Sequence, residues 1–506
     1  MIDGSIWLWK AARMTTTAPE ALAHRVMTNC ADCGQCREML ADAPCPYFPR
    51  LFALSDRARK RGEKPSSQDL RGLIDLCNAC GQCPCQSIQV QIRQAKDAFI
   101  ARDGLPLRVR LVEDVRLVGR LCGTFPQLTN FLLRAEPVAR LLKQALGVHP
   151  DRKLPTFPTE RLDSWVKAKG LDRMRESSGR KVAYFVGCTA RYMFPEVAKA
   201  TVAVLEANGV IVHVPEQKCC GMPTYLEGDR EFTFKLAESN SPVLQRCIEA
   251  GYDIVTACPT CSFALKSVLA RGAQYSPGWR RHVTDIAAAV NGDTTKVSDQ
   301  LATEAKAHTG RANAASEDFR KPWVINQIVG RRYSGEAHDE GYFAALDAEQ
   351  RILVASHTWE LGEYLRDMNR DGHLKPAAAL PPERLAYFPP CHLREQGIGQ
   401  PWAEILAASP GAEIETVGDI NDCCGLGGVM GFKTGFHDIS LAMGAGLMQR
   451  TRAKAPDRVV TECLGCRLQF AQMLDYPVSH PVEVLAKAYR DGAKASDEAE
   501  RSDRSI

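Results

Sequence analysis

Thiolates hold soft metals, and eighteen of the twenty cysteines in this chain fall into four ordered groups. The first is Cys30, Cys33 and Cys36 followed by Cys45-Pro46; the second is Cys77, Cys80 and Cys83 with Cys85 close behind. Each opens with a C-x2-C-x2-C run, in which a tight loop aims three thiolates at one cubane cluster while a fourth cysteine further along reaches the other. On that logic Cys45 completes the second cluster and Cys85 the first. C-x2-C is also zinc spacing, but three evenly spaced cysteines occurring twice do not resemble a zinc ribbon. The fourth ligands depart from the usual pattern, since eight residues separate Cys36 from Cys45 and only Pro84 separates Cys83 from Cys85.

The third and fourth groups match each other: Cys188, Cys219-Cys220-Gly221, Cys258 and Cys261 against Cys391, Cys423-Cys424-Gly425, Cys463 and Cys466, offset by 203 to 205 residues. Two homologous modules therefore carry five cysteines each. Four thiolates saturate a cubane cluster, so a fifth implies an unusual cluster or an iron with an exchangeable ligand. Adjacent cysteines rarely bond to one another because the small ring strains the peptide. Supplying two neighbouring irons is one use for such a pair, and a redox dithiol is the competing one. Gly221 and Gly425 let the backbone turn closely over the sulfurs and offer amide donors.

Lys218, Lys433 and Arg467 lie beside these cysteines, where positive charge would offset a negative cluster, or where it is plain surface charge. His392 follows Cys391 and reads as a hydrogen-bond donor or relay near the cluster, or as an ordinary buried histidine. Gly425-Leu-Gly-Gly428 follows cluster ligands rather than a first strand, so no nucleotide is assigned to it. Cys122 and Cys247 are left over and read as small buried hydrophobes.

The strings Ala386-Tyr-Phe-Pro-Pro-Cys-His392, Asp422-Cys-Cys-Gly425 through Gly431-Phe-Lys433, and Thr461-Glu-Cys-Leu-Gly-Cys-Arg467 carry a resemblance. The chain resembles the CCG-domain family of heterodisulfide reductase subunits and quinone-linked dehydrogenase subunits, from about residue 28 to residue 490. Within it, the likeness is to subunits that serve flavin dehydrogenases of the glycerol-3-phosphate or related hydroxy-acid type. The resemblance implies two [4Fe–4S] clusters in an all-helical ferredoxin-type domain. It also implies up to two further [4Fe–4S]-class clusters, cubane or non-cubane, in the CCG modules. The polar segment from about 275 to 345 is longer than the family leads one to expect.

At 506 residues, 45% apolar and 25% charged, the chain has room for about three domains. Cluster ligands must stay reduced, which points to the cytoplasm, with peripheral contact on the inner face of the cell membrane as a further expectation. Met1 to Met14 has no basic leader and no cleavage site, so it is not read as a signal peptide. No stretch reaches the eighteen or so consecutive apolar residues of a spanning helix.

These ligands need elements to position them, and the expected fold class is an α+β multidomain chain. An N-terminal tail (1–20) precedes a helical ferredoxin-type two-cluster domain (21–104), in which 86–102 forms a helix. A basic amphipathic connector (105–175) follows. Arg102 to Lys153 holds ten basic against five acidic residues, a surplus of five that exceeds the +4 of the whole chain. Apolar residues there recur at helical spacing, predicting two amphipathic helices that either pack on the cluster domains with a solvated basic face or contact a membrane.

The first CCG module (176–275) has strands at 181–186, 210–214 and 253–257 and a helix at 196–208. The second (346–490) repeats this with strands at 385–388, 414–417 and 458–461 and a helix at 402–408. Cysteines then sit just past the carboxyl ends of strands, where open α/β sheets form their crevices. A polar insertion (276–345), with 291–316 as a surface excursion, lies between the modules, and 491–506 is expected to be a disordered tail.

No Rossmann fingerprint, serine triad or paired-carboxylate constellation appears, so no site for an organic substrate or a flavin is read in this chain. A flavoprotein dehydrogenase subunit is therefore the expected partner, with no role for nucleic acid. Electrons would pass through the ferredoxin-type clusters to the CCG clusters and on to a membrane quinone, the last step resting on the resemblance. Two alternatives stay open: a thiol–disulfide reductase of the heterodisulfide type, and a soluble electron donor to a peroxide-detoxifying partner.

Overall fold

The computed structural model describes residues 18–296 and 339–503, apart from 42, 81, 82, 84, 290, 292, 294, 295, 340, 378, 379, 381 and 420. Met1 to Met14, Pro84 and most of the 291–316 excursion lie outside the described residues.

The N-terminal region is helical. Pro19–Cys33, Tyr47–Arg61, Ser67–Asp75 and Gln86–Asp103 pack around Ala23, Val26, Leu51, Leu73, Ile74, Ile92 and Phe99. Each fully buried side chain of this kind is worth about 1.5–3 kcal/mol. Local chemistry sets the helix limits. Gly34 closes the first helix in the left-handed conformation, Ser66 and Asp69 form a reciprocal capping box, and Gly104 ends the 86–103 helix.

Four short helices follow: Leu107–Glu113, Val115–Thr124, Pro126–Arg134 and Glu136–Ala145. Two were expected. The breaks fall where Pro126 and Pro137 open new helices and where Asp114 caps one by accepting from the Leu117 amide.

Each module is a four-stranded parallel sheet. In the first, β1 (Lys181–Tyr184), β2 (Ile211–His213), β3 (Asp253–Thr256) and β4 (Thr358–Glu360) run in the order β2-β1-β3-β4. In the second, β5 (Arg384–Tyr387), β6 (Glu413–Thr416), β7 (Arg458–Val460) and β8 (Val478–Ser479) run β6-β5-β7-β8. Val182, Ala183, Tyr184, Ile254 and Val255 are fully buried, as in parallel strands covered on both faces.

β4 falls in the span expected to form the second module, yet Ile254 pairs with Thr358 and Thr256 with Glu360 in the first module's sheet. The 276–345 insertion thus interrupts the first module, between its last cysteine and its fourth strand. Its described ends are structured, with a helix at Pro277–Ala289 and with Tyr342 and Phe343 buried in the first module's core. The expectation of a disordered tail fails for 491–503. The helix Pro481–Asp503 runs through it, anchored by buried Val482, Leu485, Ala486 and Ala488 and continued by good helix formers.

The modules exchange helices. Pro481–Asp503, which follows β8, packs on Pro195–Ala207 of the first module, and Leu361–Arg370, which follows β4, packs on Pro401–Ala407 of the second. The short helices carrying the cysteines cross in the same reciprocal way: Pro259–Phe263 meets Cys391–Arg394, and Cys188–Met193 meets Leu464–Met473. This arrangement turns the two cysteine sets toward each other.

Candidate metal centres

In the first module Cys188 opens the helix after β1, Cys219 and Cys220 lie in the loop after β2, and Cys258 precedes the helix after β3 with Cys261 inside it. Their sulfurs form one chain of contacts. Cys188 and Cys219 are 3.3 Å apart, Cys219 hydrogen-bonds with Cys220, Cys220 with Cys261, and Cys261 with Cys258. The second module repeats the order, Cys391 to Cys423 to Cys424 to Cys466 to Cys463. Hydrogen bonds from neighbouring thiols hold Cys219, Cys258, Cys424 and Cys463 below the ordinary thiol range, with Cys424 at about 6. Those sulfurs reach the thiolate form first.

Five thiolate donors per set suit a polynuclear cluster. An all-thiolate donor set fits iron–sulfur clusters.

In the N-terminal region thiols from both runs are neighbours. Burial and then the neighbouring thiols Cys36, Cys85 and Cys33 push Cys30 up to about 12, which places Cys85 with the first group. Cys45 is raised mainly by burial, with Cys77 among its neighbours. Cys45, Cys77, Cys80 and Cys83 line one small enclosed space.

The groups adjoin one another. Cys83 feels Cys77 and Cys45 of its own group and Cys36 and Cys30 of the other. Cys80 packs in one cluster with Cys423, Met430 and Met443 of the second module. Cys258 acts on Cys463 across the modules, and the Thr260 hydroxyl lies 3.8 Å from the Cys463 sulfur.

Both CCG glycines lie in the left-handed region. Gly221 and Gly425 have φ of +86° and +92°, and the Gly425 amide donates to the Cys423 sulfur at 3.4 Å. A Cβ at Gly425 would fall on the Ser440 carbonyl oxygen, whereas at Gly221 it would meet only the Thr233 methyl at 3.4 Å.

The flanking charges are engaged elsewhere. The Lys218 ammonium faces Glu216 at 4.0 Å, Lys433 pairs with Glu227 at 2.9 Å, and Arg467 pairs with Glu483 at 3.0 Å. The Lys218 amide, by contrast, donates to Asn240 Oδ1, whose Nδ2 donates to the Cys219 carbonyl at 2.9 Å. His392 is buried, which lowers its pKa to about 4. Its Nδ1 meets Thr260 Oγ1 at 3.0 Å, and its Nε2 closes no hydrogen bond, with the Ala79 backbone beside it.

Sequence reasoning missed Asn240, Thr260 and Arg152. The first two are lone polar residues that no spacing singles out. Arg152 was counted with the basic surface, yet it is fully buried. It donates to Gln469 Oε1 at 2.6 Å, leaves Nε and one terminal nitrogen without partners, and has Cys424 among the groups acting on it. Cys122 is half-buried and Cys247 fully buried.

Both module sets open into one cavity of about 390 Å³. Its inner end carries the cysteines and His392, and its outer wall carries Leu111, Val115, Val118, Leu132 and Leu133 from the 107–145 helices and Phe157 from the loop beyond them. The same helices present Leu107, Leu121, Phe125, Leu128, Phe131 and Leu141 outward, each more than half exposed. No helix among the described residues is long and apolar enough to cross a membrane.

Comparison with known proteins matches residues 182–266 and 385–471 to the cysteine-rich CCG domain, so the chain carries two copies of it. One component of the anaerobic glycerol-3-phosphate dehydrogenase of Escherichia coli K12 is 24% identical over 384 residues, covering 76% of this chain and 77% of that protein. A component of the fumarate reductase (CoM/CoB) of Methanothermobacter marburgensis is 25% identical over 450 residues, covering 84% and 73%. Lactate utilization protein A 2 of Bacillus cereus Q1 is 22% identical over 314 residues, covering 61% and 98%.

Proposed function

We propose that this chain, with its two CCG domains, is an iron–sulfur electron-transfer subunit that links a flavoprotein dehydrogenase to a membrane quinone. The dehydrogenase would be of the glycerol-3-phosphate or related hydroxy-acid type. The observation that carries the reading is the adjacency of the cysteine groups. Cys30/33/36/85 neighbour Cys45/77/80/83, whose loop meets both modules, and the two CCG sets adjoin each other. Two [4Fe–4S] clusters in the ferredoxin-type domain and a [4Fe–4S]-class cluster in each CCG set would supply one-electron relay between these neighbours.

The chemistry balances with partners at each end. A reduced flavin gives up two electrons and two protons, and a quinone takes up two of each to become a quinol. The relatives named for glycerol-3-phosphate dehydrogenase and fumarate reductase complexes support the subunit role. The outward apolar and basic face of the 107–145 helices supports peripheral docking on the cytoplasmic leaflet.

One observation favours a second reading. Two cysteine sets facing each other across one cavity also suit a disulfide held between them, as in a heterodisulfide-type reductase.

Anaerobically purified protein should carry about sixteen irons per chain. Its absorbance should bleach when a hydroxy-acid flavoprotein and its substrate are added, and return when quinone follows. Stoichiometric zinc would overturn the cluster assignment. Reoxidation by disulfides but not by quinones would replace the first reading with the second.

A further inference from the structure

The outer half of the shared cavity has no role in holding metal. No cysteine of the four groups lies in the wall formed by Leu111, Val115, Val118, Leu132, Leu133 and Phe157. Apart from Phe157, that wall belongs to helices that are apolar on two sides. Val115, Val118, Leu132 and Leu133 are half-buried and face the cavity, while Leu121, Phe125, Leu128 and Phe131 face outward. A helix that packs on a protein core and meets water on its other side has one apolar stripe, and a second stripe asks for a second apolar phase.

The outward stripe is accompanied by exposed Arg108, Arg120, Arg134 and Arg140. That charge complements anionic lipid headgroups. The cavity thus lies directly beneath a face suited to lipid.

We propose that this outer cavity is the binding site of a lipophilic quinone that enters from the leaflet between the 107–145 helices. Its tail lies along the leucine wall and its ring faces the cysteine-lined inner end. This assignment rests on the quinone-linked reading above and gives it a location. The shared cavity of about 390 Å³ includes the cysteine-lined end that the clusters would take, and the quinone occupies the apolar remainder.

One feature fits a neutral ring carrying carbonyl groups. Asn78 Nδ2, among the lining residues, is buried without a hydrogen-bond partner, while His392 has Thr260 at Nδ1 and the Ala79 backbone beside Nε2. Asn78 is available to donate to a carbonyl oxygen. An anionic disulfide finds little here. Lys143 is the one ammonium among the described lining residues, and it already donates to the Pro150 carbonyl at 3.0 Å.

The test uses the full chain with its clusters, purified anaerobically, and an alkyl-tailed naphthoquinone followed by equilibrium dialysis. Leu132→Trp and Val118→Phe narrow the cavity from two helices without touching a cysteine. Each should weaken binding about tenfold or more with cluster absorbance unchanged. A photoreactive azido derivative of the same quinone, used on the unaltered protein, should label peptides within 111–133 or 142–157. That measurement decides the matter even if a variant misfolds.

Normal binding by both variants, or label placed elsewhere, overturns the site while quinone reduction by the reduced protein leaves the electron-transfer reading standing. A protein that neither binds nor reduces quinone overturns both.

Discussion

At the scale of single residues, the chemistry rests on sulfurs whose neighbours are fixed by backbone rather than by charge. Gly425 shows this most sharply. Its φ of +92° and its closeness to the Ser440 carbonyl leave no space for a methyl, while Gly221 at +86° has ordinary contacts. Gly221→Ala is expected to cost about 1–2 kcal/mol, the left-handed penalty alone. Gly425→Ala should do more and should remove the cluster signal of the second module, and anaerobic spectroscopy of the two variants checks the difference. Arg152 makes a second residue-scale case. A buried guanidinium with unpartnered nitrogens near Cys424 favours the more negative, reduced state of whatever that sulfur binds. Arg152→Gln should therefore lower the reduction potential of the second CCG site, and Arg152→Lys should recover part of the shift in a spectroelectrochemical titration. An unchanged potential would assign Arg152 to packing alone. The cysteines were legible because ligand spacing is local in sequence. Arg152 was not, since its partners Gln469 and Cys424 lie far along the chain and only the fold brings them together.

At the scale of elements, the strands that end in cysteines could be read from short apolar runs, and β1, β2, β3, β5, β6 and β7 lie where the pattern put them. The fourth strands could not. β8 has two residues, too few for a period, and β4 is separated from its sheet by the insertion. Two consequences at this scale can be measured. Because the modules hold separate sulfur chains, Cys220→Ser and Cys424→Ser should each alter a CCG signal and leave the N-terminal cluster signals in place. Loss of the N-terminal signals from a folded variant would break that partition. The Leu107–Glu113 helix is also tied to pH. Burial first, then Asp229 and Glu227, push the Glu113 carboxyl up to about 9, with Arg110 pulling the other way. A carboxyl raised on folding binds its proton more tightly in the native state. The unfolded chain ionises from about pH 4.3, so stability falls from there until the native pKa is passed. Thermal stability should thus fall from about pH 5 to 9 more steeply in the wild type than in Glu113→Gln. Equal slopes would mean that Glu113 finds solvent.

At the scale of the whole molecule, the four short helices hold most of the exposed large apolar side chains among the described residues. Phe125 and Phe131 are each 68% exposed and Leu107 72%, all within one segment. The basic surplus read from the sequence is smaller in effect than its count. Arg152 is buried, and Arg140 pairs with Asp151 at 2.8 Å. Each remaining basic residue near an anionic surface is worth about 1 kcal/mol and is screened by salt. The apolar contribution is not screened, and inserting a Phe or Leu contributes about 1.5–3 kcal/mol apiece. Apolar insertion should therefore dominate, with charge setting the preference for anionic lipid. Phe125→Ser, Leu128→Ser and Phe131→Ser combined should abolish sedimentation with anionic vesicles at any salt. Arg108→Glu, Arg116→Glu and Arg134→Glu combined should weaken it mainly at low salt, with iron content unchanged in both. If the serine variant still sediments and the glutamate variant does not, the contact is electrostatic alone. If the wild type never binds vesicles, the exposed stripe belongs against the flavoprotein, and the complex rather than the membrane covers it.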